Sequence, residues 1–282
     1  MKATKVEEKI FLTIMICSTV FVLSCLILIL ATVIWRGLPA LNLSMLLQTP
    51  KGGFYLGKEG GILNAIMGSL FLAGGATALA MAISLPIALF LHFYAKRSWH
   101  GGVVRLALDV LWGIPSIVYG AFAFILMLWL GLRASLLGGI IALTFLELPI
   151  MTRGMDEAIN MVHPLLKESS YSLGATRLET ALKIVVRQAI PGLLTSSLLA
   201  FGRGIGDAAS VLFTAGFTDH LPTSLFKPAA SLPLAIFFQL STPFPAVQNR
   251  AYASALILTG IVLGLSIMSR RIAGRLTEHV IR

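Results

Sequence analysis

The sequence predicts an all-α membrane protein that crosses the bilayer six times. Three observations carry that expectation. The 282 residues are 57% hydrophobic and only 12% charged, against about 25% charged in soluble domains, and the mean hydropathy is +0.88. Six apolar runs approach or exceed the ~20 residues that a helix needs to span a bilayer. The basic residues sit at the ends of those runs, where they set orientation. The net charge of +10 therefore reads as topology. A nucleic-acid binder would gather Lys and Arg with aromatics on one face, so no nucleic-acid partner is expected.

The runs follow in order. Ile10–Trp35 has 26 residues, longer than the ~7–15 residues of a signal-peptide core, so it predicts a retained helix. Its Cys17 and Cys25 lie two turns apart, too far for a disulfide, and read as small packing residues. The second helix lies within Ile62–Tyr94. The third spans about Leu106–Leu130, with Gly113 and Pro115 as a bend. The fourth covers about Ser135–Met151, short and carrying Glu147. The fifth covers about Ile190–Phe217, and the sixth about Ala251–Ser269. Between the last two, the proline-rich segment 218–250 holds "LPLAIFF", read as a short helix lying in the membrane interface.

With the N-terminus inside, fifteen Lys and Arg fall on the cytoplasmic side, six fall outside, and Arg203 alone is left in the membrane. That imbalance predicts a multi-pass protein of the inner (plasma) membrane with both termini cytoplasmic. The organisation divides into residues 1–61 (first helix and outer loop), residues 62–269 (the transmembrane domain, with an inside loop at about 152–189), and a basic tail at 270–282.

The inside loop is the first informative segment. Pro164 limits a helix from its N-terminal side, so Lys167–Leu173 form a short helix. Gly174 permits a left-handed turn. Thr176 and Glu179 make a capping box that starts a second helix, with Leu178, Leu182, Val185 and Val186 on one face. A helix–turn–helix elbow between two membrane helices is shaped to dock on a cytoplasmic partner.

The second is "FGRGIGDAAS" (201–210). Arg203 and Asp207 stand four residues apart in an otherwise uncharged stretch from Ile190 to Phe217. One charge at the bilayer centre costs at least ~2.5–3.5 kcal/mol, and an i,i+4 pair on one helix face lowers that cost without explaining it. Intramembrane charges face cavities and pathways. Arg presents a planar fork of donors that fits two oxyanion oxygens. A carboxylate beside it accepts from a P–OH group and repels sulfate, which has no such proton. Gly202, Gly204 and Gly206 bare the helix beside the pair, either for close helix approach or to make room for an ion. Arg153, just inside the fourth helix, is a second pathway candidate, although a headgroup anchor is the stronger reading of a basic residue at a helix end. Glu147 and Asp109 carry no assignment.

These residues also carry a resemblance. Glu168-Ser169-Ser170, three residues, Gly174, nine residues, then Ile184 is similar to the cytoplasmic "EAA" loop of binding-protein-dependent ABC importer permeases, with Ser for both Ala and Val186-Arg187 where Leu-Pro is usual. "DVLWGIPSIVYGAFAF" (109–124), "LELPIMTRGMDEAINMV" (146–162), "SYSLGATRLETALKIV" (170–185), "GRGIGDAASVLFTAGF" (202–217) and "SLPLAIF" (231–237) resemble one branch, the A-type permeases of phosphate importers. The likeness covers roughly 62–268. Within it Asp207 stands for Glu, Ala208 for Thr and Ser210 for Pro.

The resemblance implies a type I ABC importer permease fold and a transport subunit with no catalysis of its own. Glu168, Ser169, Ser170 and Gly174 would couple to the ATPase; Arg203, Asp207 and Arg153 would line the substrate pathway. The implied partners are a second, homologous permease, ATP-binding ATPase subunits, a periplasmic phosphate-binding protein and membrane lipid. No cofactor or metal is expected. "GGFYLGKE" (52–59) fits a phosphate-cradling loop, but Glu59 stands where magnesium needs Ser or Thr and no strand precedes it. "GRGIGD" (202–207) mimics the start of a dinucleotide fingerprint without its strand or third glycine. The alternatives are a permease for molybdate, tungstate or sulfate, an intramembrane enzyme and a passive channel. The five histidines make no i,i+4 metal pair, which weighs against the enzyme.

Overall fold

The computed structural model describes residues 2–51, 59–96 and 98–277. Helix α1 (Lys2–Gly37) runs through a 3-10 turn (Leu38–Ala40) to the short α2 (Leu43–Leu47). Two-residue strands β1 (Pro50–Lys51) and β2 (Glu59–Gly60) then pair antiparallel. The other elements are helical: α3 (Leu63–Phe93), α4 (Trp99–Trp112), α5 (Ser116–Trp129), α6 (Leu136–Asn160), α7 (Pro164–Ser172), α8 (Arg177–Glu179), α9 (Val186–Ile205), α10 (Leu232–Leu240) and α11 (Pro245–Thr277). Five helical segments are long and apolar enough to cross a membrane, and six if the bent pair α4–α5 counts as one span. Residues 52–58, most of the phosphate-loop mimic, lie outside the described residues.

Helices α3 and α6 form the centre. Along α3, Ala76, Ala80, Ser84 and Ala88 recur every fourth position and are fully buried. Small residues at that spacing let helix backbones approach without a hydrophobic driving force. The seam is also bonded by polar side chains. Thr77 Oγ1 donates to Glu147 Oε2 at 2.8 Å, the Ser84 and Thr152 hydroxyls lie 2.9 Å apart, and His92 Nδ1 lies 2.9 Å from Asn160 Oδ1. Partners rise together in number along both helices, so α3 and α6 run parallel, as two spans separated by one crossing must.

The structure corrects several sequence boundaries. The expected third helix, Leu106–Leu130, is two helices meeting at 105°. Gly113 ends α4, and Pro115 sits in an extended conformation before α5, so the expected bend is a break. The fourth helix is longer than Ser135–Met151. The Ser135 hydroxyl accepts from Gly138 N, and Pro149 is absorbed within the helix. Continuation to Asn160 shortens the inside loop. The fifth helix stops at Ile205, not Phe217, with Gly206 as its C-cap. Residues 206–217 fold as turns instead. The sixth helix runs unbroken past 269 into the first residues of the tail.

The "LPLAIFF" segment is the expected short helix, and it is packed into the protein. It forms α10, with Leu232, Leu234 and Ala235 at 0–1% exposure inside two core clusters. The irregular segment between α9 and α10 is stabilised by supplying acceptors to α6: Ser135 N donates to Thr214 O, Leu136 N to Lys227 O and Leu137 N to Leu225 O, at 2.8–2.9 Å. Non-helical backbone is tolerated at membrane depth where protein, not lipid, satisfies it.

Candidate substrate cavity and coupling elbow

Arg203 lies in the last turn of α9, its side chain half exposed. It opens into a cavity of about 780 Å³, walled by Thr195, Leu199 and Gly202 of α9, Leu146 and Ile150 of α6, the α4–α5 break at Trp112 and Ile114, and Ser266 and Arg270 of α11. The cavity is apolar apart from a few polar groups, and two of those are guanidinium-bearing arginines from different helices. Such a lining suits a small anion stripped of water.

Asp207 behaves differently. It sits beyond the helix end, so the expectation of two charges on one continuous helix face is corrected. The side chains still meet, with Arg203 Nη2 3.7 Å from Asp207 Oδ1. The Asp207 side chain is 5% exposed. Its Oδ2 accepts from Ser210 N at 2.8 Å and Ser210 Oγ at 2.6 Å. Ser210 donates twice to one carboxylate oxygen, and the Asp207 side chain closes the turn that follows α9. Asp207 and Ser210 are one local unit, in which Oδ2 is committed and Oδ1 faces the arginine.

The three glycines separate by role. Gly202 faces the cavity. Gly204 gives the close approach: a Cβ there would strike the carboxylate of Glu147. Glu147 is fully buried, and its Oε1 has no hydrogen-bond partner among the described residues. Sequence reasoning left Glu147 unassigned. The glycine between two charges was the only signal, and it was ambiguous.

Arg153 is not among the residues lining this cavity. Its Nε lies 3.0 Å from Asp109 Oδ1, and its Nη1 lies 3.8 Å from Asp156 Oδ2. Arg105 Nε reaches the same Asp156 oxygen at 2.9 Å. Four charges thus tie α4 to α6. Asp156, at 2% exposure, is the hub, and sequence reasoning missed it.

The elbow forms as expected at its turn and second cap. Its first helix starts at Pro164, not Lys167, because Pro at the first helical position starts a helix as readily as it limits one, and it ends at Ser172. Pro164 begins α7 behind an N-cap at His163. Gly174 takes φ +82°, and Thr176 and Glu179 complete a capping box. Helix α8 then passes through a π-helical stretch, Thr180–Val185, into α9. The extra residue per turn explains why the expected apolar face splits. Val185 is fully buried, but Leu178 and Leu182 are exposed. Glu168 and Ser169 face outward, and Leu173 at the tip is 89% exposed. Ser170 is buried, with its Oγ 2.8 Å from Thr180 Oγ1, which bolts the two arms together.

Residues 82–280 match the family described as "Binding-protein-dependent transport system inner membrane component". The chain is 33% identical over 267 residues to the phosphate transport system permease protein PstA of Haemophilus influenzae, covering 94% of this chain and 93% of that one. It is 32% identical to that of Yersinia pestis over 264 residues, 94% and 89% of the two chains. It is 34% identical to PstA 1 of Mycobacterium tuberculosis over 217 residues, 76% and 70% of the two. Among solved structures, an inward-facing MetNI methionine ABC transporter superposes with a TM-score of 0.63 at 17% identity, over 76% of this chain and 95% of that one. An amino acid ABC transporter superposes at 0.54 with 20% identity, over 76% and 92%. These two likenesses establish the fold. The chain belongs to the binding-protein-dependent transport system inner membrane components, with the PstA permeases as its relatives over nearly its whole length.

Proposed function

We propose that this multi-pass inner-membrane protein is the A-type permease subunit of an ATP-driven phosphate importer and forms half of its translocation pathway. The observation that carries the reading is the half-exposed Arg203 guanidinium in a largely apolar cavity at membrane depth, in a chain that aligns end to end with phosphate permeases. The guanidinium fork binds two phosphate oxygens. Asp207, held by Ser210, steadies the arginine through Oδ1 and keeps a negative charge near the bound ion, which penalises sulfate. A homologous permease supplies the other half of the pathway. A periplasmic binding protein delivers the ion, and ATPase subunits dock on the elbow at Glu168, Ser169 and the Gly174 turn, while the buried Ser170 braces the elbow from within through Thr180. Rigid α8–α9 continuity then carries the ATPase motion directly to Arg203. Both termini are cytoplasmic in this scheme, in line with the fifteen-to-six distribution of basic residues.

The test is uptake of radiolabelled phosphate by the assembled transporter, with molybdate, tungstate and sulfate as competitors. Arg203→Gln is expected to abolish uptake while the ATPase still co-purifies. Full transport by that variant, or preferential uptake of another oxyanion by the parent, overturns the reading.

A further inference from the structure

A second cavity lies at the C-terminal end of α3, beside the elbow. It holds about 390 Å³ and is lined by His92 and Phe93 from the last turn of α3, Lys96 just after it, Lys167 and Tyr171 of α7, and Arg177 at the start of α8. Pro164 and Glu168 complete the rim. Among the described residues, three cations from separate stretches of chain thus face one space with a single carboxylate, and that carboxylate is on an exposed side chain.

The cations are not consumed by the fold. Among the described residues none of Lys96, Lys167 and Arg177 forms an ion pair. Lys167 donates instead to a neutral acceptor, His92 Nε2, at 2.6 Å. An imidazole that accepts at Nε2 carries its proton on Nδ1, and that nitrogen faces Asn160 Oδ1 at 2.9 Å. His92 therefore holds Lys167 in place without neutralising it. Burial, and then the neighbouring Lys96 charge, push the Lys167 ammonium below the ordinary lysine range. Such a cluster is stabilised by an anion that brings its own negative charge.

We infer that this cavity binds a phosphate oxyanion, carried either by free inorganic phosphate or by an anionic phospholipid headgroup, and that its occupant braces the elbow against the end of α3. Two ammonium groups and one guanidinium fork offer converging charge-assisted donors to a tetrahedral anion. Phe93, Tyr171 and Pro164 give the apolar wall that suits a group at the membrane boundary. The cavity is separate from the one that holds Arg203, so the inference stands whatever ion the permease carries.

The experiment uses the full-length chain carrying Arg203→Gln and Arg270→Gln, which together remove both guanidinium groups from the substrate cavity. Lys96→Gln with Arg177→Gln strips two exposed cations from the pocket and leaves the Lys167–His92 bond intact. Lys183→Gln with Arg187→Gln removes the same charge from the same elbow, outside the pocket. One arm titrates inorganic phosphate by calorimetry. The other counts phosphatidylglycerol retained from mixed phosphatidylglycerol–phosphatidylcholine nanodiscs by native mass spectrometry. Loss of charge-assisted hydrogen bonds is expected to weaken binding about tenfold or more in the first double variant and to spare the second. A loss confined to the phosphate arm identifies the free ion, and a loss confined to the lipid arm identifies the headgroup. Absence of saturable binding in both arms, or equal losses in both double variants, overturns the inference. So does an effect of the first double variant confined to ATPase association, which would assign the cations to an acidic protein surface.

Discussion

Helices α1 and α6 are both long apolar rods, yet the more hydrophobic one is the more exposed. The most apolar stretch of α1 has a mean hydropathy of 2.8 and is 0% buried, whereas that of α6 has 1.5 and is 72% buried. In water the order would be reversed. In a bilayer, lipid is as good a solvent for Leu and Phe as a protein core, so apolarity drives no helix–helix contact. Contact is selected by small residues and by polar groups that need partners. The hydroxyls of α1 illustrate the opposite case: Thr13, Thr19, Ser24 and Thr32 each bond the carbonyl four residues back and ask nothing of a neighbour. On α6, Glu147, Thr152 and Asn160 reach α3, while Arg153 and Asp156 reach α4.

The contrast can be broken at four points. The largest effect is expected at Asp156. Asp156→Asn leaves Arg105 without its ion-pair partner at a buried hub, while Arg153 keeps Asp109, and should cost roughly 3 kcal/mol. Asp109→Asn, at a half-exposed partner, should cost at most about 1 kcal/mol. Unfolding of the purified protein in detergent compares them, and equal losses would show that the hub is no more buried than its rim.

Gly204→Leu should cost about 1–3 kcal/mol by driving a side chain into Glu147. Glu147→Ala in the same chain should recover much of that loss, because it vacates the space. Failure of the second change to rescue the first would remove the α6–α9 contact from the account.

Gly174→Ala forces a side chain into the left-handed region at the elbow and should cost about 1–2 kcal/mol. Protease nicking between α7 and α8 would report it as faster local opening. Unchanged nicking would mean that the turn relaxes to another conformation.

The smallest effect is expected on α1. Cys17→Leu should shift stability by no more than about 0.5 kcal/mol, because the site faces lipid. A large loss would reveal a protein contact that α1 makes in the assembled transporter.

The elbow was largely legible in the sequence. A proline start, a glycine with positive φ and a capping box are all decided within a few residues, so reading 164–179 in isolation loses little. The start of α7 at Pro164 instead of Lys167 escaped, as did the π-helical stretch, and with it the fate of Leu178 and Leu182. The segment around Arg203 was half legible. Arg203 stood out by charge alone. The end of α9 at Ile205 did not, because "GDAASVLFTAGF" is apolar enough to continue a helix. What stops it is the Ser210–Asp207 bond pair and the docking of residues 214–227 onto the first turn of α6.

The linear chain by itself determined the membrane class, the crossings near their true places, the elbow and the identity of the intramembrane arginine. Those features follow from hydropathy over ~20 residues, backbone sterics and local caps, all short-range along the chain. Tertiary structure decided that the third crossing is broken and that "LPLAIFF" is buried. It also decided that Gly204 seats Glu147 and that Arg153 serves an ion-pair hub. Each of these depends on which helix face meets which. In a membrane that choice rests on a few small or polar residues far apart in sequence, such as Ser84 with Thr152 or Gly204 with Glu147, and no local pattern announces them.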